Sequence, residues 1–475
     1  MTNFSLRYDE NVHAVKTLLR VDESFDLLVK HQVIGGRRAV FFCIDGFIKD
    51  TMFEKMLEYL SNLTPQQLED AKTADAFVAR YVTYVEANTE LSADTLVTAV
   101  LSGAIGMLME GFDRAVVIDP RTYPSRSVEE PESDRLLRGA HDGFLETVIF
   151  NTALIRRRIR NPFLTMQLFQ IGSRSKTDVV VCYLADTVRQ KSLAAVQKRL
   201  REIDVAALPM SQESLRECLV PAQPWNPFPR FRYTERPDTA AACIYEGNVL
   251  ILVDGSPAAL IVPSSIFDFA QDINDYYFPP LVGSFLRNIR ILVFVVSFLF
   301  TPLWYLLLLH RGAMPDWMQF IFVNEPNGVS VYFQLIVSEF MIDCLRLASL
   351  NTPNALSTSF SVIGALVLGE FGVRSGIFVP EVVLFMAFTA VANFAQPSFE
   401  LGFSVKYARM VVLSLTALLD VWGYAAGMLV VLLVLCFTKT LEGYTYLSPL
   451  VPFDKAALKN VFHRRSINVR YRVQK

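Results

Sequence analysis

The stretch IRILVFVVSFLFTPLWYLLLL, residues 289–309, contains a single charged side chain, Arg290. A helix needs about 20 predominantly apolar residues to cross the hydrocarbon core of a bilayer, so this stretch predicts a transmembrane helix. Four more apolar segments follow it. They are residues 329–350, 356–373, 378–396 and 410–437. The second half of the chain is therefore predicted to be an all-α transmembrane domain.

The first 288 residues have a different character. Charged residues recur every few positions, and no apolar run approaches the length that crosses a bilayer. The averages over the whole chain, a net charge of −2 and a mean hydropathy of +0.32, therefore combine two unlike halves. Because the N-terminus has no apolar run behind a basic start, we predict no signal peptide and a soluble head that stays in the cytosol.

The head has the pattern of an α/β fold. The run RAVFFCID (38–45) predicts a buried strand, and MFEKMLEYLSNL (52–63) has the apolar spacing of an amphipathic helix. Residues 103–118 and 242–263 each predict two strands joined at a Glu-Gly turn. These turns are Glu110-Gly111 and Glu246-Gly247. Duplication of a sheet element and chance both explain the likeness, and the sequence leaves the two open.

Two proline-rich linkers, at 119–134 and 221–237, divide the head into two α/β subdomains. The chain is thus predicted to begin with two head subdomains, each ending in its linker, and to continue with a β-hairpin and an amphipathic pre-membrane segment, the transmembrane domain and a basic tail. The predicted boundaries are 1–134, 135–237, 238–288, 289–440 and 441–475.

The head contains no recognisable enzyme motif. Nucleotide-binding loops, nucleophile elbows and zinc or calcium signatures are all missing, and the six cysteines are scattered, so we predict neither an enzyme nor a cofactor, metal or nucleic-acid partner. One basic run has two readings, the solvated face of a helix or a contact to anionic lipid or an acidic partner. Its residues are Arg156, Arg157, Arg158 and Arg160.

The charges that flank the apolar segments predict the topology. Arg287 and Arg290 precede the first segment and the tail is basic, so both ends are predicted to be cytoplasmic and the number of crossings to be even. Segment 329–350 is the one we exclude, because three charges on one helix face are typical of an interfacial or half-inserted helix. These charges are Glu339, Asp343 and Arg346.

About four crossings then remain. This arrangement places Arg374 inside and the 394–403 loop outside. It also leaves Lys406 and Arg409 on the outer side, against the preference of basic residues for the cytoplasmic side.

Several long motifs resemble the A subunits of GerA-type spore germinant receptors. They are RYTERPDTAAACIYEGNVLILVDGSPAALIVPSS (232–265), NTALIRRRIRNP (151–162), IGSRSKTDVVVCYL (171–184) and VANFAQPSFELGF (391–403). The stretch 369–410 is more similar to the paralogue SpoVAF than to nutrient-receptor A subunits, which usually have Gln where Glu370 stands.

The resemblance implies a multi-pass protein of the spore inner membrane that assembles into a homo-oligomeric ring, with five subunits expected, and conducts monovalent cations during germination. It implies as partners membrane lipid and either a small membrane protein or receptor B and C subunits. The alternatives are a non-conducting scaffold and a nutrient-receptor A subunit.

Glu370 is an acid within an apolar segment and has two readings. It either pairs with Arg374 or reaches headgroup water near the end of a span, or it belongs to a helix stripe that lines a pore and attracts cations. The stripe consists of Ser359, Ile363, Val367, Glu370 and Arg374. In the second reading Ile363 and Val367 form a hydrophobic gate.

Overall fold

The computed structural model describes residues 3–121, 139–220, 223, 225–272, 274–324, 327–351 and 367–464. The chain forms two compact units, Met1–Ala222 with Phe231–Pro263, and Gln223–Arg230 with Ser264–Lys475. We call them the head unit and the helical unit.

The head unit contains two five-stranded antiparallel sheets. The strands of the first are β1 (Leu27–Ile34), β2 (Arg37–Ile44), β3 (Ala87–Glu90), β4 (Ile105–Met109) and β5 (Ala115–Ile118), in the order β1-β2-β4-β5-β3. Those of the second are β6 (Leu164–Ile171), β7 (Thr177–Leu184), β8 (Arg232–Thr234), β9 (Val249–Val253) and β10 (Ala259–Val262), in the order β6-β7-β9-β10-β8.

Nine helices accompany these strands in the described part of the head unit. They are α1 (Tyr8–Leu19), α2 (Asp50–Ser61), α3 (Pro65–Glu69), α4 (Ala74–Tyr81), α5 (Ala93–Leu101), α6 (Val148–Arg158), α7 (Gln190–Glu202), α8 (Ser211–Leu219) and α9 (Pro237–Tyr245). Helices cover both faces of the first sheet: Phe42 of β2 belongs to the core with α1 and α5, and Phe41 to the core with α2, α3 and α4. The continuous apolar run of β2 follows from burial on both faces, and the predicted strand at 38–45 and helix at 52–63 are confirmed.

The two sheets repeat one arrangement, which favours duplication over chance. In each, a helix, a hairpin, an edge strand, a second helix and a second hairpin follow in the same order. The predicted register of the repeat was wrong, however. Residues 242–245 end α9 instead of forming a strand, so the counterpart of Glu110-Gly111 is Asp254-Gly255. Because β9 pairs with β7, the second sheet also continues across the predicted boundary at 237/238.

The helices of the helical unit are α10 (Asn274–Tyr277), α11 (Pro280–Leu309), α12 (Val331–Asn351), α13 (Gly372–Arg374), α14 (Pro380–Phe394), α15 (Phe399–Phe437) and α16 (Lys455–Phe462), with a π-helical turn at Val367–Phe371. Within the described residues, α11 and α15 are long and apolar enough to cross a membrane, and α14 is a shorter apolar helix.

Helix α15 is a tight helical hairpin. Asp420 has φ 54° and ψ −132°, which breaks the helix, and the chain reverses there. A Cβ on Gly427 would lie 3.0 Å from Val412 Cα, and one on Gly423 would lie 1.8 Å from the carbonyl oxygen of Leu415. In a straight helix residues 412 and 427 would be about 22 Å apart at ~1.5 Å per residue. The two glycines let the two legs of the hairpin touch, as small residues do between membrane helices.

The hairpin tip lies at the end of the helical unit where α11 finishes. We call this end the apex and the opposite end, where α11 begins, the base. His310 Nε2 lies 3.4 Å from Asp420 Oδ2, which places the tip at the apex. Leu401 and Tyr446 share a core with Ile266 and Phe269, residues that precede α11, so the outer ends of both legs lie at the base.

The 394–403 loop therefore lies at the base. We had predicted it at the opposite end, so this prediction was wrong. Arg374 also lies on the side opposite to the predicted one. In the turn that follows it, Asn327 Nδ2 donates to Gly376 O at 2.7 Å and Val379 N–H donates to Gln334 Oε1 at 2.8 Å. These bonds place the turn beside the start of α12, at the apex. Both positions were predicted on the wrong side because residues 329–350 were not counted as a crossing. An even number of crossings required this exclusion once residues 410–437 were counted as one.

Helix α12 runs the length of the helical unit. Near its start the Tyr332 hydroxyl lies 3.0 Å from Ser414 Oγ, close to the apex, and near its end the Arg346 guanidinium lies between the rings of Phe394 and Phe403 at the base. Its exposed face is apolar and its charged stripe faces inward. Its described side chains that are exposed are Phe333, Phe340, Cys344 and Leu347. An interfacial helix has the opposite orientation, with its polar face in water, so the surface position predicted for 329–350 is corrected.

Candidate functional site

A cluster of charged side chains lies inside the helical unit, between α11, α12 and α15. Its centre is Glu339 of α12, which is 3% exposed. Arg409 of α15 donates from Nε to Glu339 Oε1 at 3.0 Å and also binds this oxygen through Nη2. Its Nη1 donates to the carbonyl oxygen of Ser297 in α11 at 2.9 Å. One guanidinium thus joins three helices.

Lys406 completes the cluster from one helical turn away. Its Nζ lies 3.2 Å from Glu339 Oε2, donates to the Glu339 carbonyl oxygen at 3.0 Å and forms an ion pair with Asp343. Lys406 and Arg409 are 5% and 1% exposed. We call Glu339, Asp343, Lys406 and Arg409 the buried ion-pair cluster; its Asp343 side chain is 34% exposed and the other three are buried.

The cluster is electrically balanced, with two carboxylates against two cations. Burying a charge without a partner is costly, and charged residues within membrane helices normally pair inside the bundle or line an aqueous path. The cluster can therefore hold α12 against the hairpin, and it provides ionisable groups in a region that is otherwise apolar.

The acids and the cations of this cluster were each identified from the sequence, but not as partners of one another. The acids recur at i, i+4 on α12 and the cations at i, i+3 on α15, so each pair lies on one helix face. Lys406 and Arg409 looked misplaced on the outer side, and the complementary spacing was the signal that could have identified them as partners. Arg346, the third charge of the stripe, packs against Phe394 and Phe403, with its Cζ 4.7 Å from each ring centroid.

The predicted pore stripe is described only in part. Ser359 and Ile363 lie outside the described residues, and Val367 begins the π-helical turn. Arg374 Nη2 lies 2.7 Å from Glu370 Oε1, and these side chains are 73% and 46% exposed. The structure thus contains the Glu370–Arg374 pair of the first reading, on a surface that no other part of the described chain covers. A π-helical turn is rare and often marks a functional position.

The basic run in the head unit fits neither of its two readings at Arg156. This side chain is 0% exposed, and its Nε and Nη2 donate to Asp26 Oδ2 and Oδ1 at 2.8 and 2.9 Å. It also reaches Ser24 Oγ, which accepts from Met166 N–H in the second sheet. Arg156 therefore ties the two head subdomains together, while Arg157 is exposed.

No group of three or more His, Cys, Asp or Glu residues that could hold a metal ion occurs among the residues that the structure describes.

Comparisons with known proteins give matches over almost the whole chain. A family model described as the Bacillus/Clostridium GerA spore germination protein matches residues 14–474. Stage V sporulation protein AF of Bacillus subtilis (strain 168) is 34% identical over 455 residues, which cover 96% of this chain and 92% of that protein. Spore germination protein KA of the same strain is 28% identical over 459 residues, which cover 94% and 83%.

Among solved structures, the N-terminal domain of the A subunit of the Bacillus megaterium spore germinant receptor GerK3 aligns with 55% of this chain and 96% of that chain, at 24% identity and a TM-score of 0.42.

Proposed function

Because the chain belongs to the GerA family of spore germination proteins, we propose that it acts in spore germination as a membrane-embedded, oligomeric conduit for monovalent cations. The family expected from the sequence is confirmed, and Stage V sporulation protein AF is among its relatives. The oligomeric ring, the expected five subunits, the conducted ion and the spore inner membrane all belong to the proposal.

The observation that carries the proposal is the exposed Glu370–Arg374 pair beside apolar helices. An ionised side chain facing hydrocarbon costs at least ~2.5 kcal/mol, so such a pair belongs against water or against another protein surface. A ring of subunits with this surface turned inward provides both. The proposed pore surface is the stripe Ser359, Ile363, Val367, Glu370 and Arg374, with Ile363 and Val367 as its gate.

The course of the described helices supports a revised topology with six crossings. Helix α11, α12, α14 and the two legs of α15 provide five. The sixth is assigned from the sequence alone to the apolar segment 356–373, most of which lies outside the described residues. The number stays even, so the proposal keeps the head and the basic tail on the cytoplasmic side.

Two opposite variants test the pore surface. In vesicles of purified protein, Glu370→Gln removes the acid and should lower the preference for potassium over chloride. Arg374→Gln frees the carboxylate from its partner and should raise this preference. Reversal potentials under a potassium chloride concentration gradient measure both. Equal, unchanged reversal potentials in the two variants would assign the pair to the stability of the turn.

A non-conducting scaffold is the alternative, favoured by the fact that Glu370 and Arg374 neutralise each other within one turn. A scaffold can recruit either a small membrane protein or receptor B and C subunits. It predicts assembly without any ion flux.

A further inference from the structure

The start of α11 carries an excess of positive charge. Asp275 is 0% exposed and accepts from Arg287 Nε at 3.3 Å and from Arg290 Nη2 at 2.8 Å. Arg290 also lies 3.9 Å from Asp272. Both arginines therefore share one buried carboxylate, with a second carboxylate at the limit of ion-pair distance.

A third arginine enters the same place from the end of α16. Arg464 Nη2 donates to the Tyr276 carbonyl oxygen at 2.8 Å, and its backbone N–H donates to Ser284 Oγ at 3.0 Å. Arg287 and Arg464 lie 5.6 and 5.3 Å from the centroid of the Tyr276 ring. Arg464 forms no ion pair with a carboxylate of the described residues, so three guanidinium groups face two carboxylates.

Two of these guanidinium groups have donors without an acceptor. Arg287 is 2% exposed, and its Nη2 has no hydrogen-bond partner in the described parts of the chain; the same holds for Arg464 Nε. A buried donor without an acceptor is unfavourable. The excess charge and the unused donors together call for an anion, and a phosphate group matches the planar fork of an arginine.

The opposite face of α11 is apolar and exposed. Leu281, Phe285, Ile289 and Leu292 are 83%, 61%, 40% and 61% exposed. Their spacing of four, four and three residues places them on one helix face. Since the predicted crossing begins at 289, the arginines lie where hydrocarbon gives way to headgroups.

We propose that the cluster of Arg287, Arg290 and Arg464 binds the headgroup phosphate of an anionic phospholipid. The net positive charge selects an anionic headgroup over phosphatidylcholine, which brings a cation with its phosphate. The position of the cluster at the start of the predicted crossing favours a lipid headgroup over free phosphate. Basic pockets beside transmembrane helices recognise anionic headgroups in this manner.

The test uses the full-length protein in nanodiscs of phosphatidylcholine, with and without phosphatidylglycerol. A ligand that binds the folded state raises the melting temperature. We expect phosphatidylglycerol to raise it for the wild type, Arg464→Gln to lose most of this rise, and Lys455→Gln, an exposed residue at the start of α16, to keep it. Inorganic phosphate at the same ionic strength should give no rise.

The proposal is wrong if the wild type gains nothing from phosphatidylglycerol, if both variants keep or lose the rise equally, or if inorganic phosphate reproduces it. Native mass spectrometry of the wild type needs no variant and covers the case in which Arg464→Gln does not fold. Preferential retention of phosphatidylglycerol supports the site, and equal retention of both lipids contradicts it. None of these readouts depends on ion conduction.

Discussion

Lys406 lies in the middle of an apolar helix and contacts two carboxylates of a neighbouring one. Within the buried ion-pair cluster its charge offsets Asp343, while Arg409 offsets Glu339. The contribution of each side chain to stability therefore depends on the presence of its partners. Removing one charge should cost more stability than removing two opposite charges together.

Lys406→Met should strongly destabilise the helical unit, by about 3 to 5 kcal/mol on the scale for breaking a buried ion pair, because it leaves an excess negative charge. Adding Asp343→Asn restores the balance and should recover part of the loss. Thermal unfolding of the purified variants measures both, with Lys459→Met at an exposed position of α16 as the control. A double variant no more stable than the single one would show that charge balance is not what the cluster provides.

At this scale the sequence identified the acids but not their partners. The spacing of Glu339, Asp343 and Arg346 shows that they share a helix face, but not whether this face meets water or protein. Their partners Lys406 and Arg409 follow 63 or more residues later, and only the packing of α12 against α15 brings them together. The partner of Arg156 could not be identified from the sequence for the same reason, since Asp26 lies 130 residues away.

At the scale of elements, the hairpin of α15 depends on two glycines. The turn itself has no glycine or proline to mark a reversal, because its residue is Asp420 with a positive φ of 54°. The glycines at 423 and 427 were the available signal, since this spacing of small residues is typical of closely packed membrane helices.

Gly423→Val should disrupt the hairpin, because a Cβ at this position would lie 1.8 Å from the Leu415 carbonyl oxygen. Ala426→Val, three residues later on an exposed face, should be tolerated. Membrane abundance and melting temperature of both variants check this. Equal behaviour of the two would mean that the legs of α15 do not touch at Gly423.

At the scale of the whole molecule, the sequence predicted the α/β head, the apolar second half and the family, because these depend on composition, periodicity and long motifs. It did not predict which segments cross the membrane, because the flanking charges require only that the number of crossings be even. Parity is compatible with both four and six crossings, and the contacts of α12 and α15 favour six.

The six-crossing topology predicts that the 394–403 loop and the basic tail share one side of the membrane, with Asp420 on the other. Single cysteines at Ser398, Asp420 and Lys455, in a protein without its native cysteines, should respond accordingly to a membrane-impermeant maleimide applied to sealed vesicles. Labelling should separate position 420 from the other two. Labelling of position 398 on the side opposite to position 455, with position 420 unreactive, would restore the four-crossing arrangement.

Cation conduction is the activity that we propose for this GerA-family protein. Electrical recording of the purified wild-type protein in a planar lipid bilayer tests it most directly, with the Glu370→Gln variant recorded alongside. A cation conduit should give discrete openings that pass potassium in preference to chloride, with this preference reduced in the variant. A folded, oligomeric protein that inserts into the bilayer and passes no current would contradict it and leave the scaffold as the function.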